Sequence, residues 1–281
     1  MSTDANQSVS SHSPVVLCFS GLDPSGGAGI SADIETIASL GCHCAPIVTT
    51  LTAQDSCDVK DILPVQSTFI IEQARAVLED MPVKTIKIGL LGSVAAIEAI
   101  HTVLTDYPNI PVILDPVLVS GGGTVISNQE IIAAMVSLLL PHTTLLTPNT
   151  NEARAIAAQA DTIDACAHEL MGMGVEYVLV TGTHDDSEKV LNRLWGHNRS
   201  LLDCEWDRLP HEYHGSGCIL ASGIAAGIAQ GMDMQVAVRE AQSFTWHSLK
   251  NGQRLGMGQV IPKRLFWTDR ENASQWHETN N

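Results

Sequence analysis

The stretch Val15-Val-Leu-Cys-Phe-Ser-Gly-Leu-Asp-Pro-Ser-Gly-Gly-Ala-Gly29 sets the reading of the whole chain. Val15 to Ser20 is a short apolar run ending at Gly21, the pattern of a strand buried on both faces. A glycine-rich turn follows. Ile30, Ile34, Ile37, Ala38 and Leu40 then recur at helical spacing up to Gly41, a residue suited to stop a helix. Strand, tight turn and helix together open a parallel βαβ unit.

The same alternation continues outward from there. Strands are expected near Ala45–Leu51, Thr85–Ile88, Val112–Leu114, Thr144–Leu146 and Tyr177–Val180. Helices are expected at Thr68–Asp80, Ser93–Thr105, Asn128–Leu139, Asn151–Ala158 and Thr162–Met171. This order predicts an α/β fold with a mostly parallel central sheet. From Lys189 to Leu209 two β-like runs flank Gly-His-Asn-Arg-Ser, a hairpin on one edge of the sheet. A small-residue helix from Gly215 to Gln230 and another from Met234 to Leu249 close the pattern. With no linker and no internal repeat, residues 15–266 are expected to form one domain between polar tails at 1–14, a disordered one, and 267–281.

The 281 residues carry 15 Lys plus Arg against 31 Asp plus Glu, a net charge of −16. A chain this acidic repels a phosphate backbone as a whole, so nucleic acid and anionic membrane are not expected partners. An anionic ligand must be held by local backbone dipoles, a few placed cations or a metal. Seven cysteines without paired spacings point to free thiols in a reducing, cytoplasmic setting. Cys42 and Cys44 flank His43, but no second half-site for zinc exists, and small buried thiols are the better reading. The amino terminus has neither the basic nor the apolar region of a secretory signal.

In an open parallel sheet, ligands bind beyond the carboxyl ends of the strands. Two glycine-rich loops are expected there, Asp23–Gly29 and Gly215–Cys218. The second opens a helix directly, so its amides and the helix dipole would form an anion site without Lys or Arg. Asp115 follows one strand, and Asn149 with Glu152 follows another. Carboxylates so placed could hold Mg²⁺ through water, or Asn149 and Glu152 could simply cap a helix. Neither GxxxxGK[ST] nor GxGxxG occurs, so nucleotide chemistry here would use another architecture.

Asp23-Pro-Ser-Gly-Gly-Ala-Gly-Ile30, Leu51-Thr-Ala-Gln-Asp55, Lys87-Ile-Gly-Leu-Leu91, Leu114-Asp-Pro-Val117, Thr147-Pro-Asn149 with Glu152, and His214-Gly-Ser-Gly-Cys218 stand in this order. On these six motifs the chain resembles the hydroxymethylpyrimidine/phosphomethylpyrimidine kinases of thiamine biosynthesis, in the ribokinase-like superfamily, from about Val15 to Phe266. The resemblance implies a three-layer α/β/α fold and a homodimer. It also implies ATP-dependent phosphorylation of 4-amino-5-hydroxymethyl-2-methylpyrimidine and then of its monophosphate. By the same resemblance, the pyrimidine would lie against Gln54, Asp23, Gly27 and Leu90, and ATP against Asn149, Thr181 and Gly182. Glu152 and Asp115 would serve Mg²⁺.

The resemblance further places Gly215, Ser216, Gly217 and Cys218 at the transferring phosphoryl group. The wider superfamily has a base Asp where this chain and the pyrimidine kinases have Cys218. A thiol at a helix N-terminus is expected to titrate low and act as a modest base. The primary amide of Gln54 could pair with an aminopyrimidine's ring nitrogen and amino group. Asp23 could accept a hydrogen bond from the substrate hydroxyl or only cap its turn. Lys87 matches a lysine of the family and could equally form a structural ion pair. The chain departs from the family at Ser120-Gly-Gly-Gly123 and Thr181-Gly-Thr-His184, where relatives carry lysine, and Leu90 replaces a methionine. Two alternatives stay open: a pyridoxal kinase of the same fold, and a pyrimidine-binding regulator that has lost catalysis.

Overall fold

The computed structural model describes residues 13–124, 126–183 and 187–268. The expected tails at 1–14 and 267–281 fall almost wholly outside these residues, as does His184. Strand β1 (Val15–Leu22) is followed by α1 (Gly29–Ser39), β2 (His43–Gln54), β3 (Val59–Pro64), α2 (Ser67–Asp80), β4 (Val83–Ile88) and α3 (Val94–Asp106). Then come β5 (Val112–Leu114), α4 (Gln129–Ala134), β6 (Leu145–Leu146), α5 (Thr150–Ile156), α6 (Ile163–Gly172) and β7 (Tyr177–Thr181). Strands β8 (Lys189–Gly196) and β9 (Arg199–Asp207) and helices α7 (Ser216–Ala229) and α8 (Met234–Lys250) complete the set.

The strands form one nine-stranded sheet in the order β3-β2-β1-β4-β5-β6-β7-β8-β9. The six from β2 to β7 run parallel, while β3 at one edge and β8 near the other run against them, and β9, antiparallel to β8, returns to the common direction. Alternate residues of β1 serve opposite faces, as the pleat requires. Leu17 and Phe19 pack with Ile70 of α2, Ile97 of α3 and Leu170 of α6. Val16 and Cys18 pack on the other side with Ile37 of α1, Ile224 of α7 and Val238 of α8. Three layers result, as expected. Cys42 and Cys44 lie in the second core, while His43 is exposed.

Several differences from the expected elements have local causes. Strand β2 runs on to Gln54 because β3 pairs with it, and that hairpin carries Gln54 to the site. The helix expected over Asn128–Leu139 is α-helical only to Ala134, then widens into a π-turn at Met135–Leu139 and tightens at Leu140–His142, around Pro141. The expected hairpin turn is made by His197 and Asn198, both at positive φ, which suits the twist of β8 and β9.

Helix α7 is so rich in small residues because α8 lies against it at close range. A side chain on Gly223 or Gly227 would press on Ala241 or Ala237. Beneath the strand ends, the fully buried Lys87 of β4 pairs with Asp33 of α1 at 2.8 Å, and Ser222 of α7 donates to the same carboxylate at 2.7 Å. Burial alone would push the Lys87 ammonium down, but Asp33, with lesser help from Cys218 and Asp115, holds it above its ordinary range. Removing one partner strands a buried charge. Lys87→Met should therefore cost roughly 3 to 5 kcal/mol in urea unfolding, and adding Asp33→Leu should recover much of it. An unchanged unfolding midpoint in the single variant would remove the pair from the account of stability.

Candidate active site

The strand order reverses at β1, whose neighbours β2 and β4 lead the chain to opposite sides of the sheet. A cavity of about 1050 Å³ opens at this end. Asp23, Gln54, Leu90, Asp115, Asn149, Glu152, Thr181 and all of Gly215–Cys218 line it. Gly27 and Gly182 do not, although the resemblance placed ligands against both. Gly27 sits behind the His214 imidazole, where a side chain would overlap the ring. The Gly182 amide donates to Asn192 Oδ1 at 3.2 Å.

Helix α7 begins at Gly215, whose φ of +82° is a left-handed conformation that favours glycine. The amides of Ser216, Gly217 and Cys218 have no partner within the helix, so they and the dipole face the cavity as an anion site. Cys218 does not show the downward shift expected of a helix start. Burial pushes its thiol up to about 11, and Asp33 and Asp115 add to this, against the opposing effect of Lys87 and a hydrogen bond from the Gly29 amide.

Asp23 is a turn cap in this structure. Its carboxylate accepts from Ser25 N at 2.7 Å, Ser25 Oγ at 2.9 Å and Ala28 N at 2.8 Å, and His214 Nε2 lies 2.8 Å away. Burial opposes its ionisation, yet the hydrogen bonds from His214 and Ser25 hold it well below the usual carboxylate range. Gln54 Nε2 lies 3.3 Å from His214 Nε2, so Asp23, His214 and Gln54 form one polar wall. His214 belongs to a quoted motif, but nothing in the sequence shows that its ring reaches 191 positions back to Asp23.

Across the cavity, Asn149 and Glu152 form a reciprocal capping box at the start of α5. Glu152 accepts from Asn149 N at 3.0 Å and Leu118 N at 3.3 Å. Burial, with Asp115 nearby, raises it to about 8, and burial raises Asp115 to about 6 despite the opposing charge of Lys87. Two buried carboxylates that disfavour each other's charge are a setting that a divalent cation relieves. Among the described residues no cluster of three metal-ligating side chains occurs.

Two further features close the cavity. At the tip of the β2–β3 hairpin, Asp58 accepts from Ser120 Oγ and Thr124 Oγ1, each at 2.5 Å, latching the hairpin to the glycine loop 121–123. The buried Arg264 donates from Nη1 to Gly26 O at 3.0 Å and from Nη2 to Gly27 O, pinning the first glycine turn from behind. Both contacts join segments too far apart in sequence to be read from it.

A doubly wound sheet with an anion-binding helix end in its ligand crevice defines the class of α/β proteins that take phosphate-bearing ligands. A family model described as phosphomethylpyrimidine kinase matches residues 23–263, and the chain belongs to that family. It is 33% identical over 252 residues to the hydroxymethylpyrimidine/phosphomethylpyrimidine kinase of Synechococcus elongatus, covering 88% of this chain and 95% of that one. It spans about half the length of the bifunctional thiamine biosynthetic relatives it also matches. Among solved structures, an ADP complex of Bacillus subtilis pyridoxal kinase superposes with a TM-score of 0.81 at 25% identity, covering 90% of this chain and 98% of that one. Phosphomethylpyrimidine kinase from Clostridium difficile superposes at 0.72 with 29% identity, covering 83% and 97%. Among the described residues no helix is long and apolar enough to cross a membrane.

The raised carboxylates carry a consequence for stability. A group whose pKa is higher in the folded protein binds more protons there than in the unfolded chain, so its contribution fades as pH rises. Without added metal, the melting temperature should fall as pH rises through about 6 and about 8. Glu152→Gln should flatten the upper part of that fall in a calorimetric series, and an equal slope in both proteins would contradict the assignment.

Proposed function

We propose that the protein is an ATP-dependent kinase that phosphorylates 4-amino-5-hydroxymethyl-2-methylpyrimidine and then its monophosphate. The observation that carries this reading is the placing of Gln54, a side-chain amide suited to an aminopyrimidine edge, in the same cavity as the amide-lined start of α7. The pyrimidine would lie along Gln54, His214 and Leu90. Its hydroxymethyl group would point toward Cys218, and the Ser216, Gly217 and Cys218 amides would stabilise the charge on the migrating phosphoryl group. Phosphoryl transfer asks little of a base, which accords with a thiol that is neutral near pH 7. Asp23 acts on this reading as a positioning residue, since the turn and His214 already occupy its oxygens.

ATP would extend toward Asn149 and Thr181, whose backbones form an isolated bridge between the start of α5 and the end of β7. Mg²⁺, held through water by Glu152 and Asp115, would neutralise charge on the phosphates when bound. A homodimer would use the open edge of β3 and the adjoining start of α2, where Leu63 and Phe69 are 65% and 52% exposed.

A second reading, pyridoxal kinase, draws on the closer superposition with the Bacillus subtilis enzyme. Both substrates present a hydroxymethyl group on a heteroaromatic ring. ADP release in the presence of the pyrimidine alcohol should exceed that with pyridoxal, and a clear preference for pyridoxal would overturn the choice. Binding of the pyrimidine without turnover would instead identify a regulator. Cys218→Ala should lower kcat about 100-fold, the lower end of what a positioned base contributes, with little change in KM for the pyrimidine, and an unchanged kcat would remove the thiol from the mechanism. Gln54→Ala should weaken pyrimidine binding by roughly 1 to 3 kcal/mol, and a KM that stays put would move the pyrimidine elsewhere.

A further inference from the structure

A primary amide can turn end for end, so an unrestrained glutamine pairs equally well with a ring edge that offers a donor beside an acceptor and with the reversed edge. Its surroundings decide whether it discriminates. The backbone of Gln54 is paired with Val59 across the β2–β3 hairpin, and Thr52, two residues earlier, donates from Oγ1 to Leu22 O at 2.9 Å, tying that end of β2 to β1. The side chain therefore starts from a fixed point.

The amide itself faces an obligatory acceptor. Against the cost of burial, hydrogen bonds from His214, Ser25 and Gln54 keep the Asp23 carboxylate ionised, and an ionised carboxylate only accepts. His214 Nε2, 2.8 Å from Asp23 Oδ2, therefore carries a hydrogen. Gln54 Nε2 lies 3.3 Å from that nitrogen, so the two N–H groups converge on one carboxylate and do not bond to each other. Turning the amide would aim Oε1 at the same negative charge. The imidazole has little room to adjust, because its backbone N donates to Val260 O at 3.0 Å and its ring fills the space left by Gly27. One N–H of Gln54 is thus spent on Asp23, and Oε1 with the other N–H remains, in a fixed order, for a ligand in the cavity that Gln54 lines. An aminopyrimidine presents an amino donor beside a ring-nitrogen acceptor, which matches that order. The corresponding 4-oxo compound presents a carbonyl beside a ring N–H, which sets acceptor against acceptor and donor against donor.

We propose that Asp23 is a specificity-determining residue: by fixing the direction of the Gln54 amide, it restricts the site to heteroaromatic rings that carry an amino group, and not a carbonyl, beside the ring nitrogen. The proposal deepens the kinase reading and rests on it for the pyrimidine class of the ligand. Asp23 acts through Gln54 and is a positioning residue in this role.

Titration calorimetry with 4-amino-5-hydroxymethyl-2-methylpyrimidine and its 4-oxo counterpart, on the full chain and on Asp23→Ser, Asp23→Asn and Gln54→Met, tests it. The parent should prefer the amino compound by about 100-fold. Serine can cap the turn but is too short to reach Gln54, so Asp23→Ser should cut that preference about tenfold. Asp23→Asn, which keeps an acceptor without the charge, should cut it less, and it decides the matter alone if the serine variant does not fold. Gln54→Met should abolish the preference. A purely structural role for Asp23 would weaken both compounds equally and leave the parent's ratio in both variants, which overturns the proposal. A parent that binds the two compounds alike, or a Gln54→Met variant that keeps the preference, overturns it too. ADP release with ATP and the amino compound is measured separately. If the parent binds that compound selectively, loses the selectivity in the Asp23 variants and yet fails to phosphorylate it, the kinase reading falls and Asp23 keeps its role. Phosphorylation without any amino preference does the reverse, and a parent that binds neither pyrimidine overturns both.

Discussion

The buried contact between Lys87, Asp33 and Ser222 is the constraint on which the site depends. It joins β4, α1 and α7, three elements from distant parts of the chain, at a point with no access to water. Ion pairs in such places gain little over well-packed apolar side chains, so stability alone is a weak reason for this one. Its position offers a stronger reason. The ammonium is the positive charge beneath a floor that carries Cys218 and Asp115, and it opposes the upward shift of both. The same pair sets the register of α1 against α7, whose amino-terminal ends meet where the Gly29 amide reaches the Cys218 thiol.

Around that anchor the cavity divides by chemistry. On one side, Asp23, His214 and Gln54 form a wall whose geometry is set by hydrogen bonds and by the absence of a side chain at Gly27. Arg264 reinforces it from behind by gripping two glycine carbonyls, so a turn with little intrinsic rigidity is held in one conformation. On the other side, paired carboxylates with raised pKa values face strand ends that are tied together from Asn149 to Thr181. On the proposed reading, an aromatic edge would lie on the first side and a charged, metal-bearing chain on the second. The helix start between them belongs to neither and is where transfer would take place.

Much of this was legible in the sequence, for identifiable reasons. Strands β1 and β4 and helices α1, α2 and α3 carry strong periodic apolar patterns, and the strand ends put Asp115, Asn149 and the Gly215–Cys218 loop where ligand chemistry was expected. Strand β3 escaped notice because Lys60, Asp61 and Pro64 read as loop residues; it is an edge strand, half in solvent, with no buried face to mark it. The tightening after Leu139 falls at Pro141, which has no amide with which to continue the helix. The role of Arg264 depends on carbonyl groups distant in the chain, and no spacing rule records such partners. The titration of Cys218 was misjudged because its sequence position shows the helix dipole but not the burial and the neighbouring carboxylates that outweigh it.

The seating of α8 on Gly223 and Gly227 has a mechanical consequence. The two helices meet almost backbone to backbone, and α8 brings Gln242 and Trp246 to the same cavity that the start of α7 lines. A bulkier residue at either glycine would therefore shift α8, and with it that wall of the cavity.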